Sequence, residues 1–198
     1  MGRVEDIRLV KKALRLKYRT IREVMPLPEK QQFDLQIFDR LTNFCEYQKA
    51  KIILIFVSTQ IEVDTIKIIE QAFKDGKKVA VPKCLDKNGR MAFFVIRSFD
   101  DLKRGHFDLL EPDEKTAPML VDFSLSICIL PGFAFDASGY RIGFGKGYYD
   151  RFLQKYSGIK IGICYNSCIA DSLPHGRYDV SANFIVTPKY ILTIKNKV

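Results

Sequence analysis

The first part of the chain alternates apolar and basic positions with a helical period. Over residues 4–24 the apolar side chains recur every three or four positions, as in Ile7, Val10 and Leu14. A basic stripe follows a similar spacing and comprises Arg8, Lys11, Arg15, Arg19 and Arg22. Proline disfavours helical geometry in the residue before it, so we expect the segment MPLP at residues 25–28 to end this helical arm.

Short runs of branched and aromatic residues divide the rest of the chain into strands and helices. Further helices are predicted from Glu29 to about Phe44, over about residues 63–73 with Gly76 as the cap, and from about Gly147 to Tyr156. In residues 98–122 the apolar positions follow no regular spacing, so we expect a mostly irregular segment. The predicted strands cover residues 51–57, 77–82, 91–96, 125–131, 159–164 and 183–187.

Strands and helices alternate at short spacing, which is typical of crossover connections between parallel strands. The pattern predicts a single α/β domain over residues 1–198, with a mainly parallel sheet, helices on both faces and the N-terminal helical arm. Hydrophobic residues make up 47% of the 198 positions, which suffices for a sizeable core and excludes a disordered chain.

The formal net charge of +9 favours an anionic partner: nucleic acid, an acidic membrane surface, or a small molecule rich in phosphates or carboxylates. The five cysteines form no C-x-x-C pair, and Cys164, Cys168 and His175 lack the spacing of a zinc site. The N-terminal segment has no apolar core of signal-peptide length, and no run of about 18 apolar residues occurs. We therefore expect a cytoplasmic protein without a membrane partner.

A glycine-rich stretch, GYRIGFGKGYYDRFL, occupies residues 139–153 and leads into a predicted helix. Helix N-termini attract anions, and glycines let the backbone approach an oxyanion closely. Arg141 and Lys146 would add positive charge, and Asp150 could hold a hydrated Mg²⁺. The spacing matches neither the P-loop nor the dinucleotide-binding fingerprint. A phosphate cradle is favoured, and a glycine turn with solvated Lys146 and Arg151 is the alternative.

The longer segment LPGFAFDASGYRIGFGKGYYDRFL, residues 130–153, resembles the signature of the 5-formyltetrahydrofolate cyclo-ligases, also called 5,10-methenyltetrahydrofolate synthetases. Four shorter segments also resemble segments of this family and occur in the same order along the chain: KKALR (11–15), FVSTQIEVDT (56–65), VPK (81–83) and LEP (110–112). The resemblance covers essentially the whole chain. It implies a fold similar to that of sugar-phosphate isomerases and CoA transferases.

The resemblance also implies a reaction. An enzyme of this family converts 5-formyltetrahydrofolate into 5,10-methenyltetrahydrofolate, with ATP as co-substrate and with ADP and phosphate as products. In the implied scheme the formyl oxygen attacks the γ-phosphorus of ATP, and N10 of the folate then closes the ring and expels phosphate. Such phosphoryl transfer depends mostly on positioning and charge neutralisation.

The resemblance also implies which residues form the site, because their positions match those of the family pattern. Arg141 and Lys146 are implied as catalytic groups nearest the transferred phosphoryl group. The residues implied to bind ATP are Lys11, Arg15, Arg141, Ile142, Gly143, Phe144, Gly145, Lys146, Gly147, Tyr148 and Tyr149. Those implied to bind the folate substrate are Val57, Glu62, Phe144, Gly145, Lys146, Gly147 and Tyr148. From the residues alone, interpretations without a ligand also fit. Lys11 and Arg15 fit a solvated basic stripe, and Glu62 fits a solvated acid at a helix start. Tyr148 and Tyr149 fit core positions at the start of a helix.

The metal site is where the sequence departs from the family pattern. Asp150 matches one implied magnesium ligand. The other would be the last residue of a D-x-x-x-D segment, which is DVSAN here (residues 179–183), so Asn183 stands in its place. An amide oxygen can bind a hard cation but adds no charge. We expect Mg²⁺ held mainly by Asp150 and the ATP phosphates, with Asn183 as the second protein ligand and Asp179 as a turn or capping residue.

Three other interpretations remain open on the sequence. A sugar-phosphate isomerase or CoA transferase would need its own acid–base or nucleophilic glutamate and no ATP. A nucleic-acid-binding module would use the basic helix, but neither an aromatic platform nor a named motif accompanies it. A family member without activity is favoured only by Asn183. We expect a monomer that binds ATP and a folate, with or without a polyglutamate tail, and no nucleic acid.

Overall fold

A seven-stranded mixed sheet forms the centre of the molecule, whose computed structural model describes residues 6–105 and 110–195. The described strands are β1 Ile52–Leu54, β2 Lys78–Cys84, β3 Met91–Ile96, β4 Leu102–Arg104, β5 Leu110–Pro112, β6 Ser126–Leu130, β7 Ala134–Asp136, β8 Arg141–Ile142, β9 Ile159–Ile163, β10 Ile169–Ala170, β11 Phe184–Val186 and β12 Ile191–Thr193. The order across the main sheet is β12-β11-β9-β6-β1-β2-β3. The strands from β11 to β2 pair in parallel, and β3 and β12 are antiparallel edges.

Helices surround this sheet. The described α-helices are α1 Ile7–Glu23, α2 Leu27–Thr42, α3 Cys45–Lys49, α4 Ile66–Lys74 and α5 Tyr148–Leu153. Helix α2 packs against α4 and β11, α4 against β2, and α5 against β3. The predicted α/β domain with a mainly parallel sheet is thereby confirmed. Within the two described ranges, no helix is long and apolar enough to cross a membrane.

The central strands are buried along their whole length. Every residue of β1 and β6 is buried, as expected for parallel strands that are covered on both faces. A small sheet of order β10-β7-β8 packs onto the large one. At this junction the ring of Phe135 in β7 lies directly over Gly162 in β9, in space that any side chain at position 162 would occupy.

Several boundaries differ from the sequence predictions. The second helix begins at Leu27 rather than Glu29, because Pro28 is tolerated in a first helical turn. Residues 98–122, predicted as irregular, contain the antiparallel pair β4 and β5. The predictions also missed β7, β8, β10 and β12, which have only two or three residues and so show no periodicity. Residues 4–5 of the predicted first helix lie outside the described residues.

Helix α1 lies against the small sheet. Asp6 begins the helix by accepting a hydrogen bond from the backbone N–H of Arg8. The helix contacts β8 and the 3₁₀ turn at residues 166–168, and it buries Tyr18 and Arg22. The basic stripe predicted from the sequence is therefore not uniformly solvated.

We expect Gly162→Ala to lower the free energy of unfolding by roughly 1–3 kcal/mol, the usual cost of overpacking a core. The added methyl group must displace the ring of Phe135, which is fully buried and cannot swing aside. Urea denaturation measures the change. Gly176→Ala is the matched control, because an added Cβ there meets only one atom, at 3.9 Å. Equal stability of the two variants would contradict this packing.

Candidate active site

A cleft of about 690 Å³ opens where the parallel strands end. The segments that follow β1 and β6 supply Val57 and Pro131 to its wall, and β2 supplies its last residue, Cys84. Ligands of open α/β sheets bind at this carboxyl edge. Helix α1 and the glycine-rich loop at residues 143–147 form further walls. The cleft therefore brings together the two basic motifs of the sequence, the N-terminal helix and the glycine-rich loop.

The glycine-rich loop depends on its glycines for its path. Gly145 and Gly147 have φ angles of +94° and +71°, in the left-handed region that side chains disfavour. An added Cβ on Gly145 would lie 3.0 Å from the guanidinium carbon of Arg15. The Nε of Arg15 donates a hydrogen bond to the carbonyl of Gly143 at 2.9 Å. Arg15 thus ties α1 to the loop.

The loop presents one aromatic and one basic side chain. Phe144 is 53% exposed, and its ring centroid lies 4.6 Å from that of Phe133 beneath it. Lys146 is exposed and lines the cleft. The loop can therefore offer a flat apolar surface and an exposed positive charge to the same ligand.

Arg141 and Asp150 form a partly buried ion pair at the base of the loop. Nη2 of Arg141 lies 2.8 Å from Oδ1 of Asp150, and Nη1 donates to the carbonyl of Val180 at 2.7 Å. The N–H of Val180 donates in turn to Oδ1 of Asp150 at 3.2 Å. These bonds fix the segment around residue 180 beside α5.

A second ion pair joins Lys11 of α1 to Asp179 across the cleft. Asp179 also accepts a hydrogen bond from the N–H of Gly176 at 2.8 Å. Burial raises the pKa of Asp179, but the hydrogen bonds from Lys11 and Gly176 outweigh it, so the net pKa lies below its usual value. Asp179 is therefore a carboxylate at neutral pH.

On another wall of the cleft lies Glu62, only 5% exposed. Its Oε2 accepts hydrogen bonds from the N–H and the hydroxyl of Thr59, both at 2.9 Å. Burial raises the pKa of Glu62, and the bonds from Thr59 and the charges of Arg22 and Lys30 oppose that rise without cancelling it. Glu62 is thus a desolvated acceptor beside the apolar Val57.

The first two residues of α5 differ in how their hydroxyl groups are used. The hydroxyl of Tyr148 donates to the carbonyl of Asp86, in the turn between β2 and β3, at 2.7 Å. The hydroxyl of Tyr149 is buried and has no hydrogen-bond partner among the described residues. The ring of Tyr149 packs edge-on against Phe93. Both side chains line the cleft. The hydroxyl of Tyr148 is hydrogen-bonded, whereas burying the hydroxyl of Tyr149 without a partner in the described structure lowers the stability of the fold.

Comparison with known proteins identifies the family. The model of the 5-formyltetrahydrofolate cyclo-ligase family matches residues 8–188. The chain belongs to this family. A 5-formyltetrahydrofolate cyclo-ligase of Escherichia coli (strain K12) is 29% identical over 169 residues, which cover 83% of this chain and 93% of the relative. The resemblance noted in the sequence, and the cyclo-ligase class of enzyme that it implied, are confirmed.

Solved structures agree with this assignment. A 5,10-methenyltetrahydrofolate synthetase of Aquifex aeolicus superposes with a TM-score of 0.84 at 28% identity, covering 96% of this chain and 95% of that chain. A 5,10-methenyltetrahydrofolate synthetase of Mycoplasma pneumoniae has a TM-score of 0.73 at 24% identity, over 90% of this chain and 98% of that chain, and supports the fold alone. The family match favours the cyclo-ligase interpretation over an isomerase or CoA transferase.

The structure gathers nearly all the residues that the cyclo-ligase resemblance implied. The following line the cleft: Lys11, Arg15, Val57, Glu62, Arg141, Ile142, Gly143, Phe144, Gly145, Lys146, Gly147, Tyr148, Tyr149 and Asp150. Their chemical roles remain predictions. The sequence reasoning missed Thr59, Cys84 and Asp179, of which only Asp179 had a signal, as the first residue of the D-x-x-x-D segment.

Asn183 is the exception, and the structure does not support it as the second metal ligand. It is absent from the cleft lining, and its Oδ1 accepts the backbone N–H of Lys160 at 2.9 Å. Its own N–H donates to the carbonyl of Lys160 at 2.8 Å. These two bonds fasten the start of β11 to β9, so the side-chain amide of Asn183 stabilises the sheet. Asp179 is the acidic side chain that this segment brings to the cleft.

We expect different stability effects from removing the two tyrosine hydroxyls. Tyr148→Phe loses a hydrogen bond and should lower the free energy of unfolding by roughly 0.5–1.5 kcal/mol. Tyr149→Phe removes an unpaired buried hydroxyl and should leave that free energy unchanged or slightly raised. Each variant is the control for the other, because both keep the ring. A larger loss for Tyr149→Phe in urea denaturation would show that its hydroxyl has a partner.

Proposed function

We propose that this chain converts 5-formyltetrahydrofolate into 5,10-methenyltetrahydrofolate, with ATP converted to ADP and phosphate. One observation carries the proposal. A single cleft joins the basic residues of α1 and the glycine-rich loop to a desolvated carboxylate, Glu62. Phosphates and a folate ring can therefore meet in one site.

The basic wall is the proposed nucleotide half. Lys11 and Arg15 lie four residues apart on one face of α1 and both reach the cleft. Lys146 projects from the loop as an exposed charge, suited to follow the phosphoryl group during transfer. Arg141 is held by Asp150 and Val180, so we assign it a rigid charge at the base of the loop. Fixed charges aimed at a transferring phosphoryl group supply most of the catalysis of such reactions.

Glu62 is the proposed anchor of the folate ring. Its carboxylate can accept hydrogen bonds from the amino and ring N–H groups of the pterin. Val57 beside it and Phe144 on the opposite loop offer apolar surface to a flat ring. Because the pKa of Glu62 is raised, this anchor is lost on acidification at a higher pH than for an ordinary carboxylate.

The proposed chemistry has two steps. The formyl oxygen attacks the γ-phosphorus, the bond from phosphorus to the bridging oxygen breaks, and ADP leaves. N10 then attacks the activated formyl carbon and loses its proton, and the carbon–oxygen bond breaks to release phosphate. The residues of the cleft position the two substrates and neutralise charge, which is what holding reacting atoms together requires.

The carboxylates of the cleft fit a magnesium ion. Asp150 and Asp179 both line it, and the residue next to Asp179 is hydrogen-bonded to Asp150. Carboxylate oxygens are the ligands that Mg²⁺ takes together with substrate phosphates, and the ion would neutralise phosphate charge. No group of three or more acidic, histidine or cysteine side chains able to hold a metal occurs in residues 6–105 and 110–195. The ion would thus arrive with ATP.

The charge and the assembly fit the same proposal. ATP and a folate are both anions, and a chain with a net charge of +9 attracts them towards the cleft. We also propose that the active form is a monomer, because the residues assigned to the site all belong to one chain.

The first experiment follows the near-ultraviolet absorbance of the methenyl product. Wild-type protein is mixed with 5-formyltetrahydrofolate and Mg²⁺, with and without ATP, beside the double variant Arg141→Ala, Lys146→Ala. We expect product only with ATP, and a loss of at least about a hundredfold in kcat for the double variant, because both charges that face the phosphoryl group are gone. Product without ATP, or full activity of the double variant, would contradict the proposal.

The magnesium assignment has its own test. We expect Asp150→Asn and Asp179→Asn each to raise the magnesium concentration that gives half-maximal turnover by about tenfold, because each removes one anionic ligand. The matched control is Asn183→Asp, which keeps the oxygen that accepts the N–H of Lys160 and lies away from the cleft. A lower magnesium requirement in the control variant would restore Asn183 as a ligand and overturn the assignment to Asp179.

A further inference from the structure

We propose that Arg22 positions the folate without touching it, by supplying the buried positive charge behind Glu62 and by fixing the loop beneath Phe144. Nothing in the family signature marks this residue, which belongs to the basic stripe of α1. The inference rests on the proposed function, because it assigns Glu62 to the folate.

The guanidinium of Arg22 is enclosed by aromatic rings. Arg22 is 5% exposed, and its Cζ lies 5.7 Å from the ring centroids of both Phe133 and Tyr165. Nη2 donates to the carbonyl of Gly132. Nε is buried without a hydrogen-bond partner in the described part of the chain. Hydrogen bonds alone therefore do not compensate this charge.

A buried charge needs a nearby opposite charge. Tyr165 connects Arg22 to two candidates, because its hydroxyl donates to Oδ1 of Asp34 at 2.7 Å and contacts the carbonyl of Glu62 at 3.3 Å. Asp34 is already paired with Lys30, 2.7 Å away on α2. Among the described residues, the hydrogen-bond donors to Oε2 of Glu62 are the neutral N–H and hydroxyl of Thr59. Of the two carboxylates, Asp34 is therefore balanced by Lys30, and Glu62 is the one that balances the charge of Arg22.

The electrostatics of Glu62 agree with this geometry. Burial raises the pKa of Glu62, and Arg22 from α1 and Lys30 from α2 are the two charges that oppose the rise. Other titratable groups near Glu62 in the described structure include Asp34 from α2, Tyr149 from α5 and Tyr165 after β9. Without the charge of Arg22, burial is less opposed, so Glu62 would take up a proton at higher pH.

Arg22 also acts on the opposite wall of the cleft. Its hydrogen bond holds Gly132, which lies between Pro131, a lining residue, and Phe133. The ring of Phe133 supports that of Phe144 at 4.6 Å. One side chain thus connects α1 to the folate anchor and to the aromatic surface of the glycine-rich loop.

The test compares Arg22→Met with Arg22→Lys and Arg19→Met. Methionine keeps an unbranched apolar stem and removes the guanidinium with its charge, and lysine returns the charge. Arg19 is the matched control, because it lies one turn earlier on α1, is exposed and pairs with Glu23. KM for 5-formyltetrahydrofolate, KM for ATP and the pH profile of kcat/KM for the folate are measured for each variant.

We expect Arg22→Met to raise KM for the folate by about tenfold at mildly acid pH, the size of one hydrogen bond to a charged acceptor, with a smaller change for ATP. The acid limb of the pH profile should move to higher pH. Arg22→Lys should return that limb towards the wild-type position, and Arg19→Met should match wild type. A purely structural role for Arg22 would not move the limb.

An unmoved acid limb in a folded Arg22→Met variant, or equal changes in both KM values, would overturn the inference. If that variant does not fold, the double variant Arg22→Met, Glu62→Gln decides, because it leaves neither charge buried. Its folding supports the charge coupling, and its failure assigns Arg22 to packing alone. Wild-type protein is assayed first: absence of product there contradicts the proposed function, whereas wild-type turnover with an unmoved limb overturns only the role of Arg22.

Discussion

The contact between helix α1 and the glycine-rich loop is the interaction on which the rest of the site depends. Arg15 packs against Gly145 so closely that a side chain there would meet the guanidinium at 3.0 Å. Lys11 reaches Asp179 and Arg22 reaches Gly132, so three residues of one helix hold three separate segments. The chain's first helix thereby closes a cleft that the sheet alone leaves open. Its basic residues serve as structural ties and as the charge of the cleft.

The site balances charges that burial would otherwise penalise. Arg141 with Asp150 and Lys11 with Asp179 are opposite charges held near the cleft floor, where a lone charge would be costly. Glu62 is different, because its direct donors are neutral and its pKa is raised by burial. A carboxylate kept in such surroundings is suited to a ligand that brings N–H groups. The buried hydroxyl of Tyr149, which has no hydrogen-bond partner in the described ranges, is another group whose presence costs stability.

The sequence predicted much of this arrangement, for identifiable reasons. Strands β1 and β6 could be predicted because buried parallel strands are continuous apolar runs. The glycine-rich loop could be predicted because it lies within a long family signature. The small sheet was not visible, since two- or three-residue strands have no period. Asn183 was placed in the metal site by its register in a segment, yet its amide pairs with Lys160 across the sheet. Only the fold shows that Asp179 faces the cleft and that Arg22 is buried.

In the proposed reaction the formyl oxygen attacks the γ-phosphorus directly, within one cleft. The most direct measurement uses 5-formyltetrahydrofolate that carries a heavy oxygen isotope in its formyl group, with turnover in ordinary water and analysis of the released phosphate by phosphorus NMR. Direct attack predicts that each phosphate released carries the label, because the formyl oxygen stays bonded to phosphorus when the carbon–oxygen bond breaks. Unlabelled phosphate, with the label lost to water, would contradict the account.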